Sequence, residues 1–268
     1  MLEQNYVQLA IENRVGIITL NRPEAGNSVD LKTAKELMEV AVTCSENEEI
    51  RAVVLTGVGD KFSFGGDLSS FANEGDEIGA HLKIVTAYLH QAISHFARMN
   101  KPIIAAVNGV AAGGGMSLAC ACDLVYASED AKFVTAYNQI GLTPDCAGSY
   151  FLPILVGVRR ALELFYTNRP VGAMEAKEWG IVNDVLPTDN LMPFVLGLAE
   201  KLANGPMNAF GATKKLVYQS HQESLESQMT LESLSIAERA SSNEGKEGIS
   251  AFLEKRPADY TKELKINH

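Results

Sequence analysis

An α/β fold is predicted, on three observations. Short β-branched runs alternate with longer amphipathic stretches along most of the chain. Two of the runs lead into glycine-rich bends, the places where a strand can turn sharply into a helix. Beyond Gly205-Pro206 the residues become charged and helix-forming, with no further strand signal. The chain therefore divides into a core, residues 1–204, and a helical C-terminal region, residues 205–268.

Taken in order, GIITL (16 to 20), RAVVLTG (51 to 57), PIIAAVNG (102 to 109) and DLVYA (123 to 127) read as strands. Asp30 is placed to cap a helix whose apolar residues Leu31, Ala34, Met38, Ala41 and Val42 share one face. A second helix is expected over about 78–99, where Lys101-Pro102 stops it. A third follows the triple glycine at 113 to 115, and a fourth starts with RRALELFY. In the C-terminal region Leu225, Met229, Leu231, Leu234 and Ile236 form a stripe expected to be core or subunit contact.

The 268 residues are 46% hydrophobic and 21% charged, enough apolar side chain for a sizeable core. A net charge of −10 repels phosphate polymers and anionic membrane surfaces, so neither nucleic acid nor membrane is expected as a partner. The N-terminal segment has early acidic residues and does not read as a signal peptide, and no apolar run reaches a membrane span. Four scattered cysteines do not make a disulfide framework, which points to a cytoplasmic protein. Cys120 and Cys122 would point apart on a helix, so no metal site is expected.

The informative segments are KFSFGGDLSSF (61 to 71) and VNGVAAGGGMSLA (107 to 119). Each has glycines where the backbone must turn and leave N–H groups unpaired, and in the second they open a helix. Two such bends converging on one point would offer donors to an oxygen that gains negative charge. Neither matches a phosphate-cradling pattern. Farther on, FVTAYNQIGLTPDCAGSYFLPILVGV (133 to 158) contains a single charged side chain, Asp145. Thr-Pro-Asp is ordinary surface-turn chemistry, while a carboxylate in apolar surroundings is costly unless something uses it.

Together with TLNRPEAGNSVD, EAKEWGIVNDVLP and EGISAFLEKRP, these segments resemble the enoyl-CoA hydratase/isomerase (crotonase) family over nearly the whole chain. The resemblance implies a spiral of ββα units with a C-terminal helical trimerisation region, assembling as a homotrimer or dimer of trimers. It also implies an acyl-CoA thioester as substrate, with no cofactor beyond the CoA moiety. By the same resemblance the Gly66 and Gly114 amides hold the thioester oxygen. CoA would lie along Arg22, Ala25, Phe64, Gly65, Gly66, Asp67, Leu68 and Gly113, with Phe252 and Lys255 contributing.

Hydratases of this family carry glutamates at two positions that here are Ser117 and Tyr137. Neither can serve as a carboxylate base, so water addition is not the expected chemistry. Asp145 instead resembles the aspartate of ring-1,2-epoxyphenylacetyl-CoA and Δ3,Δ2-enoyl-CoA isomerases, which implies a proton shift through a thioester enolate with Asp145 as base. His90 and Asp145 also fall where 4-chlorobenzoyl-CoA dehalogenases have a histidine that activates water and an aspartate nucleophile. Those enzymes orient the aspartate with a tryptophan, and Tyr137 stands there instead, able to donate to Asp145. A lone histidine on an amphipathic helix is otherwise a structural or surface group. His81, His95, His221 and His268 have no motif around them, and Cys146 has no pattern of a thiol nucleophile. A noncatalytic CoA-binding protein is the third reading. The acyl group is left open, because the pocket walls are expected to include parts of 71 to 90, a polar, glycine-containing segment whose conformation the sequence does not fix.

Overall fold

In the computed structural model, residues 5–261 are described; His268 lies outside them. Strands β1 (Val7–Glu12) and β2 (Val15–Leu20) form a hairpin, followed by helix α1 (Leu31–Glu46). Asn13 and Arg14 both take positive φ, the twist that a two-residue hairpin turn requires. Three ββα units follow. The first is β3 (Ala52–Gly57), β4 (Lys61–Ser63), the short α2 (Leu68–Ala72) and α3 (Ile78–Arg98). The second is β5 (Ile103–Val107), β6 (Val110–Ala112) and α4 (Gly114–Cys120). The third is β7 (Leu124–Ser128), β8 (Lys132–Val134), α5 (Gly148–Val156) and α6 (Val158–Thr167). After them come β9 (Val171–Gly172), α7 (Ala173–Glu178), β10 (Asp184–Leu186) and α8 (Thr188–Ala203).

Each unit places its first strand in one sheet and its second in another, which is what makes the chain spiral. The larger sheet has the order β1-β2-β3-β5-β7-β10, parallel except for the β1–β2 hairpin. The smaller has the order β4-β6-β8-β9, with only its β8–β9 edge antiparallel. Strands β3 and β5 are buried along their whole length because helices cover both faces. Val53, Leu55, Ile103 and Ala105 point into the core shared with α1, α3 and α4. The alternate residues Ala52, Val54, Ile104 and Ala106 pack on Leu191, Val195 and Ala199 of α8.

The four strands and four helices read from sequence are present, with one correction. The predicted strand over 102–109 breaks at Asn108-Gly109, and Val110–Ala112 joins the other sheet. Asn108 Nδ2 donates to the Gly57 and Gly59 carbonyls, and a Cβ on Gly109 would lie 2.0 Å from Asp60 O. That crossing between consecutive units is what needs glycine. Asp30 caps α1 as expected, its carboxylate accepting from Thr33 N at 2.8 Å. Cys122 lies in the turn after α4, not on the helix.

The C-terminal region is α9 (Met207–Gln219), α10 (Leu225–Ser241) and α11 (Asn243–Leu253). Lys214 of α9 ties it to the core, donating to Asp123 Oδ2 at 2.8 Å and to Phe96 O. The stripe on α10 is not core within one chain, since Leu225, Met229, Leu234 and Ile236 are all exposed. No helix among the described residues is long and apolar enough to cross a membrane.

Candidate active site

The two glycine bends meet. After β4 the chain turns at Gly65, with φ +82°, and the Val29 N–H donates to Gly65 O at 2.7 Å. Ser63 Oγ accepts from Gly65 N and donates to Asn27 O, while Asp67 N donates to Val29 O. Those neighbours are spoken for, and among the described residues no acceptor meets the Gly66 N–H. After β6 the chain turns at Gly113, φ +51°, and Gly114 opens α4, so its N–H has no acceptor within the helix. A Cβ on Gly65 would stand 2.7 Å from both Gly114 N and Ala112 O, so only glycine lets the bends close on each other.

Asp145 arrives at this junction from the third unit. A Cβ on Gly114 would be 3.6 Å from Asp145 Oδ1 and 3.4 Å from Cys146 Sγ, which puts the carboxylate beside the second bend. The Tyr137 hydroxyl donates to Asp145 Oδ1 at 2.6 Å, and Ser117 Oγ lies 3.0 Å from the same phenol oxygen. A phenol has one proton, so with Tyr137 donating to Asp145 the Ser117 hydroxyl is the donor to Tyr137. Burial first, and the Asp145 carboxylate second, push the Tyr137 phenol well above the usual tyrosine range and keep it a donor. The Cys146 thiol is pushed up in the same way, by burial and then by Asp145. It is a buried thiol, not a nucleophile.

The backbone around Asp145 is unusual. Ala136, Cys146 and Ala147 all have positive φ without being glycine, each costing on the order of 1 kcal/mol. Gly148 relieves the crowding: a Cβ there would be 2.3 Å from Ser117 Oγ.

An open cavity of about 540 Å³ reaches this point. Its wall includes Phe64, Gly66, Leu68, Gly113, Gly114, Tyr137 and Asp145, so seven of the residues singled out in the sequence share one site. Asp145 is the one carboxylate among the described residues lining it, and Lys83 the one cation. Gly65 lies just behind, on a smaller inner chamber.

Other expected residues lie elsewhere. His90 is exposed on α3 and lines no part of the cavity, because it lies a turn beyond Thr86, the last residue of α3 on the cavity wall, while Leu89 and Ile93 face the inner chamber. His81, His95 and His221 are not on it either. The Arg22 side chain is only 12% exposed and points inward, with Asp67 Oδ2 at 3.0 Å, Asp30 Oδ2 at 3.3 Å and Ser28 O at 3.0 Å. Its charge is matched within the fold, so it offers no free guanidinium to a phosphate. Asp67 is likewise occupied by Arg22 and by the cap of α2. Ala25 ends a 3-10 turn and does not line the cavity, although its neighbour Gly26 packs against Phe64 of the cavity wall. Phe252 is 83% exposed, and neither it nor Lys255 lines the cavity of its own chain.

Within the 71–90 segment expected to contribute pocket wall, Phe71, Leu82 and Thr86 are among the residues that line the cavity. Of these, Leu82 alone falls on the apolar spacing 82, 85, 89, 93 of α3, which reads equally well as core.

Residues 10–263 match the enoyl-CoA hydratase/isomerase family. The chain belongs to that family. It is 36% identical to 4-chlorobenzoyl coenzyme A dehalogenase-2 of an Arthrobacter species over 82% of this chain and 80% of that protein. It is 34% identical to the 1,2-epoxyphenylacetyl-CoA isomerase of Escherichia coli K12, over 94% and 96%. Among solved structures, the enoyl-CoA hydratase of Bacillus anthracis superposes with a TM-score of 0.90 at 32% identity, covering 96% of this chain and 99% of that one. The fold is thus the crotonase fold of this hydratase/isomerase family. Relatives of comparable similarity carry three different activities, so the choice among them rests on the site.

Proposed function

We propose that this family member is an acyl-CoA isomerase that moves a proton, and with it a double bond, through a thioester enolate. The observation that carries the reading is the position of Asp145, the one carboxylate lining the cavity among the described residues, beside Gly114 and held by Tyr137. Tyr137 fixes Oδ1 of that carboxylate, which takes the proton. In a 3-enoyl thioester that proton leaves the carbon between the carbonyl and the double bond. The electron pair moves into the carbonyl, and the Gly66 and Gly114 amides stabilise the enolate oxygen. Asp145 then returns the proton at the far end of the conjugated system and is regenerated. Nothing is consumed. Each amide is worth roughly 3 kcal/mol of barrier and positioned acid–base catalysis about 10²- to 10⁴-fold.

Water addition has no matching pair of carboxylates, because Ser117 and Tyr137 hydrogen-bond to each other where hydratases carry glutamates. The dehalogenase reading is favoured by the 36% identity to the Arthrobacter enzyme and opposed by the exposure of His90. Exposed Phe64 and Leu68 suit the pantetheine arm at the mouth of the cavity. The uncovered apolar faces of α10 and α11 suit subunit contact in a trimer.

The test is Asp145→Asn with a 3-enoyl-CoA. Turnover should fall at least about a hundredfold while CoA binding persists; unchanged turnover overturns the mechanism. Chloride release from 4-chlorobenzoyl-CoA that His90→Gln abolishes would establish the dehalogenase reading instead. Binding without turnover across a panel of thioesters would establish a noncatalytic protein.

A further inference from the structure

Behind the paired amides lies an inner chamber of about 20 Å³, bounded by Val29, Val85, Leu89, Ile93 and Leu118. It shares five residues with the open cavity: Gly66, Phe71, Leu82, Gly114 and Asp145. Three of these are the reactive groups. The partition between the two spaces is therefore the side chains of Phe71 and Leu82.

Phe71 is the more firmly held of the two. It is 5% exposed, and its Cε2 lies 2.5 Å from where a Gly66 Cβ would stand, so the ring rests on the first bend itself. Its outer side packs on His81 with ring centroids 5.9 Å apart, and His81 Nδ1 faces Glu74 Oε1 at 3.4 Å.

A bound thioester would keep its nucleotide and phosphates at the open end, because an apolar chamber cannot solvate them. With the pantetheine arm filling the outer cavity and the carbonyl at Gly66 and Gly114, the acyl carbons are directed at the inner chamber. Space of about 20 Å³ holds a group about the size of one water or methyl. Its wall is almost wholly hydrocarbon and offers no partner to a polar acyl substituent beyond Ser63, Cys146 and Asp145.

We propose that Phe71 is a specificity-determining residue that closes the inner chamber to all but short, unbranched, apolar acyl groups. The proposal deepens the isomerase reading by naming its substrate class, and it rests on that reading for the location of the carbonyl.

The experiment is calorimetric titration of wild type and Phe71→Ala with butanoyl-, hexanoyl- and octanoyl-CoA. Wild type should bind butanoyl-CoA about tenfold more tightly than octanoyl-CoA. Phe71→Ala should reverse the order, gaining up to about fourfold per added methylene as the chamber opens. Phe71→Leu, which keeps an apolar filler, should fall between the two and serves if the alanine variant does not fold. Equal or tighter binding of octanoyl-CoA by wild type overturns the proposal, as does a chain-length profile that neither variant changes. These saturated thioesters are not turned over, so the profile is independent of the chemistry. A chain-length profile as expected with no isomerase turnover would sink only the isomerase reading, and turnover with a flat profile would sink only this one.

Discussion

The Tyr137 hydroxyl donates to Asp145 Oδ1 at 2.6 Å and receives Ser117 Oγ at 3.0 Å, so a buried chain of hydroxyls orients the carboxylate that lines the cavity. A hydrogen bond to a charged group is worth about 1.5 to 3 kcal/mol. Tyr137→Phe should therefore lower kcat by about tenfold to a hundredfold and leave KM nearly unchanged, because the bond orients the base and does not hold CoA. Ser117→Ala acts one step farther away and should cost less than about tenfold. Steady-state kinetics on a 3-enoyl-CoA with both variants checks the order; an equal loss, or one confined to KM, would contradict it.

The bends respond differently to one added methyl. At Gly65 a side chain meets Ala112 O and Gly114 N at 2.7 Å, with φ at +82°. Gly65→Ala should lose roughly 2 to 5 kcal/mol of stability from backbone strain and overpacking together. At Gly114 the nearest atoms are 3.4 Å or more away. Gly114→Ala should fold normally and lose activity, since its methyl sits against the Asp145 carboxylate. Urea unfolding beside turnover separates the two, and a stable Gly65→Ala enzyme would show that the bends are not in contact.

Arg22 and Lys83 should also part company. Arg22 is enclosed by Asp30, Asp67 and the Ser28 carbonyl, so Arg22→Met strands two carboxylates and should cost about 3 kcal/mol of stability. Lys83 is exposed on the cavity wall, and Lys83→Met should leave stability unchanged while weakening the salt-dependent part of CoA affinity. Titrations with CoA at low and high salt, beside thermal unfolding, read both effects.

Stability should fall on the alkaline side. Burial pushes the Cys44 and Cys120 thiols up to about 12 from the ordinary 9.0, and the Tyr137 phenol higher than its usual range. The folded chain keeps protons that the unfolded chain sheds, so this contribution is fully present below about pH 9 and is lost as pH rises toward 12. Each thiol should steepen the decline by about 1 kcal/mol per pH unit. Urea midpoints measured from about pH 8 to pH 11 should show it, and Cys44→Ala with Cys120→Ala should flatten it. A level profile in the wild type would contradict the burial of these thiols.

What the sequence determined by itself is local or repeated. The burial of β3 and β5 was legible because residues 52–57 and 103–107 are almost uninterrupted apolar runs. The bends at 65–66 and 113–114 were legible because clustered glycines announce positive φ and close backbone approach, which other residues adopt rarely. Asp145 stood out because its surroundings carry no other charge. The shortest strands, such as β9 with 2 residues, hold too few side chains to show a period and exist because a neighbouring strand pairs with them.

Only the tertiary structure decided which way side chains separated by long stretches of sequence would turn. One helical turn beyond Thr86 carries His90 off the site wall into solvent, and Arg22, expected along the CoA, is drawn inward by Asp67 across 45 residues of sequence. Phe71 became a wall of the site only when α2 folded back over Gly66. Such contacts depend on how whole elements pack, which residue types and spacing do not fix even where both partners, as with Gly66 and Phe71, lie in one short segment.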